Sequence, residues 1–428
     1  MPEEKEMPMD IAQQIEKGRL DRTFAELYGR NADLPAQRRR YLKIVDADTR
    51  WVFSTSGRTE LAGNHTDHNL GFVLAASINL DTIAAVKPDS EPVVTIASEG
   101  YEPVKVDITD LAVHEDEKGR TAALVRGIAR SFADRGFAIS GFHARTTSSV
   151  LKGSGLSSSA AIEVLTATIF NHLFAADSLS TTVLAQIGQY AENVYFGKPC
   201  GLMDQVACAN GGIVSIDFAD PAKPRVRTVN FAFDDQEHGH SLVVVDTGGN
   251  HADLTDEYAA IPSEMKQVAA LMGCSTLSEV KPSAFFKKLP ELRSRLSNDR
   301  ALLRAIHFFN ETRRAQEMYK LLKHNEFEAY LSMVKESGRS SFEYLQNVYC
   351  NSSPKEQGLS LALALSDEFL GSSGASRVHG GGFAGTIQAY VPNHILKHYI
   401  TFMEKTFGKG SCTVLSIRQH STMCVAEA

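Results

Sequence analysis

Residues 153–161 read Gly-Ser-Gly-Leu-Ser-Ser-Ser-Ala-Ala, and an apolar helical pattern follows them. A helix N-terminus presents backbone N–H groups without partners and the positive end of the helix dipole. Glycines before it let the backbone close around an anion, and serines in the first turn add hydroxyl donors and an oxygen ligand for Mg²⁺. The alternative is an ordinary serine N-cap after a glycine turn. Three serines with two glycines favour a phosphate loop.

Two other glycine patterns were compared with this loop. The chain contains no G-x-x-x-x-G-K-[ST] sequence, so the loop is not of the Walker A type. Residues 380–385, Gly-Gly-Gly-Phe-Ala-Gly, do match G-x-G-x-x-G. They precede a strand-like stretch (386–391) instead of opening a helix, so we do not interpret them as a dinucleotide site. They predict a close approach of the backbone to a ligand or to a neighbouring loop.

A second segment, 56–69, is dense in polar and turn-forming residues, although a strand-like stretch at 51–55 and an apolar stretch at 72–78 flank it. The pattern predicts a loop that carries functional side chains between strands. Its polar members are Arg58, Asn64, His65, Asp67, His68 and Asn69. Such a set can bind several sugar hydroxyls at once. Two alternatives stay open: a metal site, whose spacing fits no standard pattern, and a turn network in which Asp and Asn bond their own backbone.

A third segment, 201–205, places Asp204 after a glycine turn. A carboxylate near an attacking alcohol can orient it and accept its proton during phosphoryl transfer, while an arginine and Mg²⁺ offset the developing charge. Arg58 is the best candidate partner, and its charge would hold Asp204 ionised. The alternative for Asp204 is a helix N-cap. Glu192 lies on a predicted helix and by itself indicates only a solvated surface residue.

Composition limits the class of protein. The chain has 428 residues, enough for two or three domains, and 43% of them are apolar. With 44 Lys plus Arg against 51 Asp plus Glu, the net charge of -7 argues against a nucleic-acid binder. No apolar run reaches the roughly 18 residues of a membrane span, and the acidic start has no hydrophobic core of a secretory signal. The six scattered cysteines contain no C-x-x-C pair. We therefore expect reduced thiols and a cytoplasmic protein.

The periodicity predicts an α/β (α+β) fold. Residues 9–45 and 256–350 are expected to be helical, a helix is expected from 182 to 196, and strands are expected at 141–150, 213–218, 242–247, 386–391 and 412–417. After the phosphate loop, one helical stripe carries Ala160, Ala161, Val164, Leu165, Thr168, Ile169 and Leu173. We place a boundary between an N-terminal lobe, 1–215, and a C-terminal lobe, 216–428. The first lobe contains the functional segments 56–69, 152–161 and 197–205.

Together these segments resemble the GHMP kinase superfamily and, within it, the galactokinase family. The resemblance is carried by residues 57–69, 153–161, 200–205 and 374–385, in the family's order and spacing over about 50–390. It implies a two-lobed GHMP kinase fold with the active site between the lobes. It also implies transfer of the ATP γ-phosphate to the C1 hydroxyl of galactose or a closely related sugar, with Mg²⁺ as cofactor.

The resemblance also implies roles for individual residues. Asp204 would be the catalytic carboxylate and Arg58 its charge partner, and Mg²⁺ would be held by Ser158 or Ser159 together with Glu192. The sugar would be bound by Asn64, His65, Asp67, Gly201 and Tyr258. ATP would be bound by Gly153, Ser154, Gly155, Leu156, Ser157, Ser158, Ser159 and Ala160.

Two positions depart from the family pattern. Asn64 stands where the family has Glu, and His68 stands where it has Tyr. The Glu contacts the sugar's O6, so an amide there removes a negative charge that would repel a C6 carboxylate. Galactose stays the leading substrate, and the alternatives are a uronic acid, a C6-modified or 6-deoxy sugar, or a pentose.

Two other functions occur among proteins with such a serine loop. Some galactokinase-like proteins are non-catalytic sugar sensors, but the serine loop, Asp204 and Arg58 are all present here. Mevalonate and homoserine kinases share the serine loop and lack the loop at 65–67. The expected partners are the sugar and ATP, with no nucleic acid and no membrane, and the expected assembly is a monomer or weak dimer.

Overall fold

The computed structural model describes residues 9–29, 32–150, 155–198, 200–220, 223–235, 237–249 and 254–428. These residues form a mixed α/β fold with one eight-stranded and one four-stranded sheet. The predicted fold class is therefore confirmed.

The strands are β1 (Trp51–Ala62), β2 (Phe72–Asp89), β3 (Val93–Ser98), β4 (Val104–Asp107), β5 (Gly141–Ser148), β6 (Ile213–Asp217), β7 (Arg225–Val229), β8 (His240–Asp246), β9 (Ala375–Val378), β10 (Thr386–Pro392), β11 (Cys412–Leu415) and β12 (Met423–Glu427). The helices are α1 (Ile11–Glu16), α2 (Asp21–Tyr28), α3 (Leu34–Leu42), α4 (Thr121–Asp134), α5 (Ser158–Ala175), α6 (Thr181–Tyr190), α7 (Met203–Ala209), α8 (Thr255–Leu271), α9 (Pro282–Leu296), α10 (Asp299–Lys323), α11 (Phe327–Ser340), α12 (Gly358–Leu370) and α13 (Leu396–Phe407). Short helical turns lie at Asp67–Asn69, Glu115–Glu117, Ala191–Phe196, Leu277–Glu279, Ser341–Leu345 and Asn393–Ile395.

The larger sheet has the order β12-β1-β2-β5-β3-β4, and β6 and β7 extend from β2. All pairings are antiparallel except β3 with β5. The predicted lobe boundary at 215/216 falls inside β6, and β7 and β12 both belong to this sheet. The division of the chain into 1–215 and 216–428 therefore does not coincide with the two sheets, because strands from the second half complete the first sheet.

Strand β1 is longer than the sequence predicts, since it continues past Thr55 to Ala62. The polar residues Ser56, Arg58 and Glu60, which we expected to lie in a loop, are buried strand residues. Arg58 faces Ser77 of β2 across the ladder. The loop itself is confined to residues 63–71, between β1 and β2.

Helix α5 lies in the interior and is buried on nearly all sides, including Glu163. The sequence predicts one apolar stripe on this helix, but more of its surface is buried, because it packs against β1, β2, α4, α6 and α7. Its N-terminus is the phosphate loop of the sequence analysis. Because α5 is packed on nearly all sides, the direction of its N-terminus is fixed.

The smaller sheet has the order β11-β8-β10-β9. Its core contains Val243, Val245, Ile387, Tyr399 and Met403, with residues of α12 and α13 packed against the strands. Helices α8 to α11 fill the predicted helical region. Tyr390 of this sheet joins the core that also contains Leu61 and Leu74 of the larger sheet, so a continuous core connects the two halves.

Helices α1 to α3 pack on β1, β2 and β12. Asp81 of β2 is fully buried beneath them and accepts hydrogen bonds from Arg40, Tyr28 and Ser54 at 2.5–2.7 Å. The Arg40 charge therefore compensates a buried carboxylate.

No helix within the described ranges is long and apolar enough to cross a membrane.

Candidate active site

Arg58 and Asp204 form a two-pronged ion pair between β1 and the first turn of α7. Arg58 Nε lies 2.7 Å from Asp204 Oδ1, and Arg58 Nη2 lies 2.7 Å from Asp204 Oδ2. The arginine side chain is 8% exposed and the aspartate side chain 32%. Burial opposes ionisation of Asp204, but the charge and hydrogen bonds of Arg58 outweigh it and lower the pKa of the carboxyl. Asp204 is therefore a carboxylate at neutral pH, open on one side.

The tip of α5 contacts this pair directly. Ser157 is the N-cap residue with φ 59°, and its hydroxyl donates to Asp204 Oδ2 instead of capping the helix. The carbonyl of Gly155 accepts a hydrogen bond from Arg58 Nη1, and the carbonyl of Leu156 accepts one from Arg58 N at 3.1 Å. The ordinary N-cap interpretation is thereby wrong, because the Ser157 side chain accepts no hydrogen bond from a first-turn N–H group of α5.

The remaining residues of the phosphate loop divide into two groups. Ser158 is half-buried and Ser159 is exposed at the helix start, whereas Leu156 and Ala160 are buried and anchor the tip. Gly153 and Ser154, predicted to bind ATP, lie outside the described residues. Ser158 and Ser159 are thus the serines at the start of α5 that solvent reaches.

Asp67 and Gly201 meet near Asp204. A Cβ atom at Gly201 would collide with Asp67 Oδ2, so only glycine permits this approach. His68 is exposed, and its Nε2 lies 3.6 Å from Asp67 Oδ1. The Asp67 carboxylate therefore reaches the turn that carries Asp204. Across the described part of the chain, no three acidic, histidine or cysteine side chains form a ligand cluster for a metal ion.

The glycine segment 380–382 presents its carbonyls to three of the predicted sugar-binding residues. Asn64 Nδ2 donates to Gly380 O at 2.7 Å, His65 Nε2 donates to Gly381 O at 2.9 Å, and the Tyr258 hydroxyl donates to Gly382 O at 2.9 Å. A Cβ at Gly381 would collide with the Tyr258 ring. The prediction that this segment is a close backbone approach to a neighbouring loop is confirmed.

Asn64 is fully buried, and its amide is saturated by protein groups. Its Nδ2 donates to Glu60 Oε1 at 3.0 Å as well as to Gly380 O, and its Oδ1 accepts from Asn347 Nδ2 at 2.8 Å and from Ser341 Oγ at 3.4 Å. Both donors and both acceptor positions are occupied. The interpretation of Asn64 as a sugar ligand therefore conflicts with this placement, because no hydrogen-bonding capacity is left for a substrate.

His65 is placed differently. Because Gly381 O can only accept, His65 Nε2 carries the proton, and His65 Nδ1 is a buried acceptor with no partner in the described part of the chain. Burial and the neighbouring His68 ring lower the pKa of His65 to about 3, so the imidazole is neutral. Tyr258, whose pKa burial raises to about 12, lies beside it with a ring-centroid distance of 6.4 Å.

Glu192 lies in a π-helical turn, Ala191–Phe196, and is buried rather than solvated. Its Oε2 accepts from Gln205 Nε2 at 3.0 Å, and its Oε1 lies 3.5 Å from Lys198 Nζ. Glu163 Oε2 accepts from the same Gln205 nitrogen at 3.0 Å, and Glu163 Oε1 is buried and has no hydrogen-bond partner among the described residues. Burial and the Glu192 charge raise the pKa of Glu163 well above its usual range.

Comparison with known proteins gives matches over the segments that carry these contacts. Residues 39–88 match the galactokinase galactose-binding signature, and residues 123–212 match the GHMP kinases N terminal domain. Galactokinase from Streptomyces coelicolor is 31% identical to this chain over 353 residues, which cover 81% of this chain and 86% of that protein. The chain belongs to the galactokinase family. It is accordingly a sugar kinase.

Other members of the galactokinase family show the same extent of similarity. Galactokinase from Homo sapiens is 29% identical over 379 residues, covering 86% of this chain and 91% of that protein. The crystal structure of Lactococcus lactis galactokinase complexed with galactose superposes with a TM-score of 0.75 at 20% identity, over 95% of this chain and 99% of that chain. The two-lobed GHMP fold expected from the sequence is therefore confirmed.

Sequence patterns did not predict the buried residues whose hydrogen bonds hold the strands and loops of the galactokinase site in place. Glu60 accepts from Arg377 Nη2 at 2.7 Å, and His379 bonds Thr59 Oγ1 and Thr386 Oγ1 at 3.0 Å each. Arg377 is distant in sequence from Glu60, and Thr59 from His379, so no local pattern reveals these contacts. For Glu163 a signal existed, since a carboxylate inside the apolar run 160–170 predicts a buried charge with a dedicated partner.

Proposed function

We propose that this protein transfers the γ-phosphoryl group of ATP to the C1 hydroxyl of galactose, giving galactose 1-phosphate and ADP. The observation that carries the proposal is the contact of Arg58, Asp204 and Ser157. It joins the tip of α5, which has the donors for phosphate, to a carboxylate that has the chemistry for an alcohol.

The nucleotide side of the site is the N-terminus of α5. The N-cap side chain is directed at Asp204, so the first-turn N–H groups and the hydroxyls of Ser158 and Ser159 are left for phosphate oxygens. Gly155, with φ 71°, turns the chain into the helix. An anion bound at this tip lies beside Asp204, because Ser157 belongs to both.

Asp204 and Arg58 divide the chemical work. Arg58 holds Asp204 ionised, so the carboxylate accepts the hydrogen bond of the attacking C1 hydroxyl and fixes its direction. A carboxylate with a lowered pKa is a weak base, so it takes the proton only as the new O–P bond forms. Positioning and charge stabilisation then supply most of the rate, as is general for phosphoryl transfer.

The buried carboxyl group of Glu192 fits Mg²⁺. Its Oε2 is held by Gln205, and the one cation near its Oε1 among the described residues is Lys198, whose side chain is 65% exposed. Hard oxygen donors in small number suit Mg²⁺, which completes its octahedron with phosphate oxygens and water. We propose Glu192 with Ser158 as its protein ligands; the ion would neutralise charge on the transferring phosphates.

The sugar is proposed to lie against Asp67 and the Gly201 turn, with His65 and Tyr258 forming the adjacent wall. Asp67 can accept from two vicinal hydroxyls, and His65 Nδ1 is an acceptor for one more. The uronic-acid alternative depended on a sugar-facing Asn64. Because Asn64 faces the glycine segment, galactose is the proposed substrate.

The test is an ADP-release assay with ATP and Mg²⁺ on galactose, galacturonate, arabinose, glucose and N-acetylgalactosamine. We expect galactose to be turned over at about 1–100 per second, the usual range for kinases, with one galactose 1-phosphate formed per ADP. Reactions without sugar are the control. Galactose binding without ADP release would contradict the proposal and favour the sensor, and a higher kcat/KM on galacturonate would overturn the substrate assignment.

A further inference from the structure

Gln205 stands directly after the catalytic Asp204, but its side chain points away from the reacting groups. The side chain is fully buried, and its single amide nitrogen donates to Glu163 Oε2 and to Glu192 Oε2, each at 3.0 Å, and lies 3.6 Å from Cys200 Sγ. An amide nitrogen has two hydrogens, and both are used. One side chain thus connects α7, α5 and the π-helical turn that follows α6.

The space around this amide is closely filled. A Cβ atom at Gly188 of α6 would lie 3.3 Å from Gln205 Cγ, 3.3 Å from Glu163 Cβ and 3.4 Å from Glu163 Oε2. The bulge of the π-helical turn directs Glu192 inward to meet the amide. Such turns occur often at functional sites.

The Gln205 amide, which bridges Glu163 and Glu192, determines which oxygen of Glu192 can bind a cation. Oε2 is occupied by Gln205, whereas Oε1 lies 3.5 Å from Lys198 Nζ, and the Cys200 thiol also donates a hydrogen bond to the Glu192 carboxyl group. Without the Gln205 amide, the two buried carboxyl groups of Glu163 and Glu192 would have no shared hydrogen-bond donor. Glu192 would then lose both its position and its orientation. Hydrogen bonds of this kind to metal-ligating carboxylates typically change metal affinity 10–100-fold.

We infer that Gln205 is a positioning residue that orients Glu192 for the divalent cation of the nucleotide complex, with Glu163 as the anchor of its amide. The inference rests on the proposed function. The first turn of α7 then has two roles. Asp204 faces the sugar, and Gln205 orients Glu192, which faces the cation.

The experiment measures Mn²⁺ binding by electron paramagnetic resonance in the presence of the non-hydrolysable analogue AMPPNP, which needs no turnover. Gln205→Met keeps the shape of the side chain and removes both donors, and we expect the Mn²⁺ dissociation constant to rise 10–100-fold. The KM for galactose should change less than twofold, because no sugar contact is touched. Thermal melting of each variant reports its folding.

Two variants of the anchor complete the design. Glu163→Gln keeps an acceptor for the Gln205 amide and should leave Mn²⁺ affinity within twofold of wild type. Glu163→Leu removes this acceptor and leaves the Gln205 amide bonded to Glu192. We expect Mn²⁺ binding to become at least threefold weaker, and this variant tests the inference if Gln205→Met does not fold.

Mn²⁺ affinity within twofold of wild type in folded Gln205→Met, or in Glu163→Leu, overturns the inference. A wild-type protein that binds Mn²⁺ and AMPPNP but releases no ADP with galactose overturns the proposed function instead. The two failures are therefore distinguishable.

Discussion

Arg58 and Asp204 are 146 positions apart in the chain and meet through two parallel hydrogen bonds of 2.7 Å. The geometry matches a guanidinium fork to both carboxylate oxygens, which is stronger and more directional than a single contact. Ser157 adds a third donor on Oδ2. The orientation of Asp204 is thus fixed before any substrate binds.

Replacing the carboxylate by its amide tests its chemical role. Asp204→Asn keeps the side-chain shape but cannot accept the proton of the C1 hydroxyl, so we expect kcat to fall by about 10²–10⁴. Galactose affinity, measured by calorimetry, should change less than threefold, because Asp67 is untouched. ADP release at the wild-type rate would remove Asp204 from the mechanism.

Removing the arginine should change the pH dependence of the reaction. In the wild type Arg58 keeps the pKa of Asp204 below its ordinary value, so Asp204 contributes no acid limb to kcat above about pH 5. In Arg58→Met the burial remains and the opposing charge is lost, so the pKa of Asp204 rises and an acid limb moves toward neutral pH. A kcat profile whose acid limb coincides with that of the wild type would contradict this account.

Gly201 is predicted to matter only through Asp67. In Gly201→Ala the new methyl group displaces the Asp67 carboxylate, and we expect kcat/KM for galactose to fall about 10–100-fold. The φ angle of Gly201 is not positive, so the backbone itself accepts alanine. In an Asp67→Ala background the same substitution should cost less than twofold, because the collision is gone. Equal losses in both backgrounds would show that the methyl group acts on something other than Asp67.

Local sequence patterns predict the loop at 153–161 and the turn at 201–205 as parts of the site, because glycine, serine and aspartate act there through their own neighbours. Such patterns do not predict contacts between residues far apart in the chain. The extent of β1 was not predicted. Its polar residues Arg58 and Glu60 are paired with Asp204 and Arg377, and a local pattern of polar residues without visible partners predicts a loop.

Asn64 shows the same limit at a single position. The comparison with the family pattern predicted a substrate contact, whereas the structure gives the amide four protein partners. Three of them, Ser341, Asn347 and Gly380, lie more than 270 positions away. The chemical character of a residue can be taken from sequence, but the direction of its side chain depends on the tertiary contacts.

This placement predicts that Asn64 stabilises the fold. Asn64→Asp removes both donors and sets a carboxylate against Glu60 in a buried site, so we expect the free energy of unfolding to fall by about 2–4 kcal/mol in urea titrations. Asn351→Asp is the matched control, since Asn351 is exposed, and it should change stability by less than about 0.5 kcal/mol. A large rise in the KM for galactose in a variant of wild-type stability would instead restore the sugar-contact interpretation.

The buried histidines predict how stability depends on pH. Burial, together with the charges of Arg58 and Arg377, lowers the pKa of His379 to about 3, and the pKa of His65 is lowered equally far. A histidine whose folded pKa is lowered stabilises the fold above its unfolded pKa of about 6.5 and loses that contribution as the pH falls. Between pH 7.5 and pH 5.5 each of the two should therefore cost about 1.4 kcal/mol of unfolding free energy.

His379→Gln isolates one of these contributions. The variant removes the titrating ring, so its loss of unfolding free energy from pH 7.5 to pH 5.5 should be smaller than that of the wild type by about 1.4 kcal/mol. The comparison depends on the difference between the two pH values, so a uniform destabilisation from the lost bonds to Thr59 and Thr386 does not affect it. His394→Gln, at an exposed position, should leave the wild-type pH dependence intact. If His379→Gln and wild type lose the same free energy, His379 is protonated in the folded protein at pH 5.5, and the buried neutral imidazole behind Arg58 is ruled out.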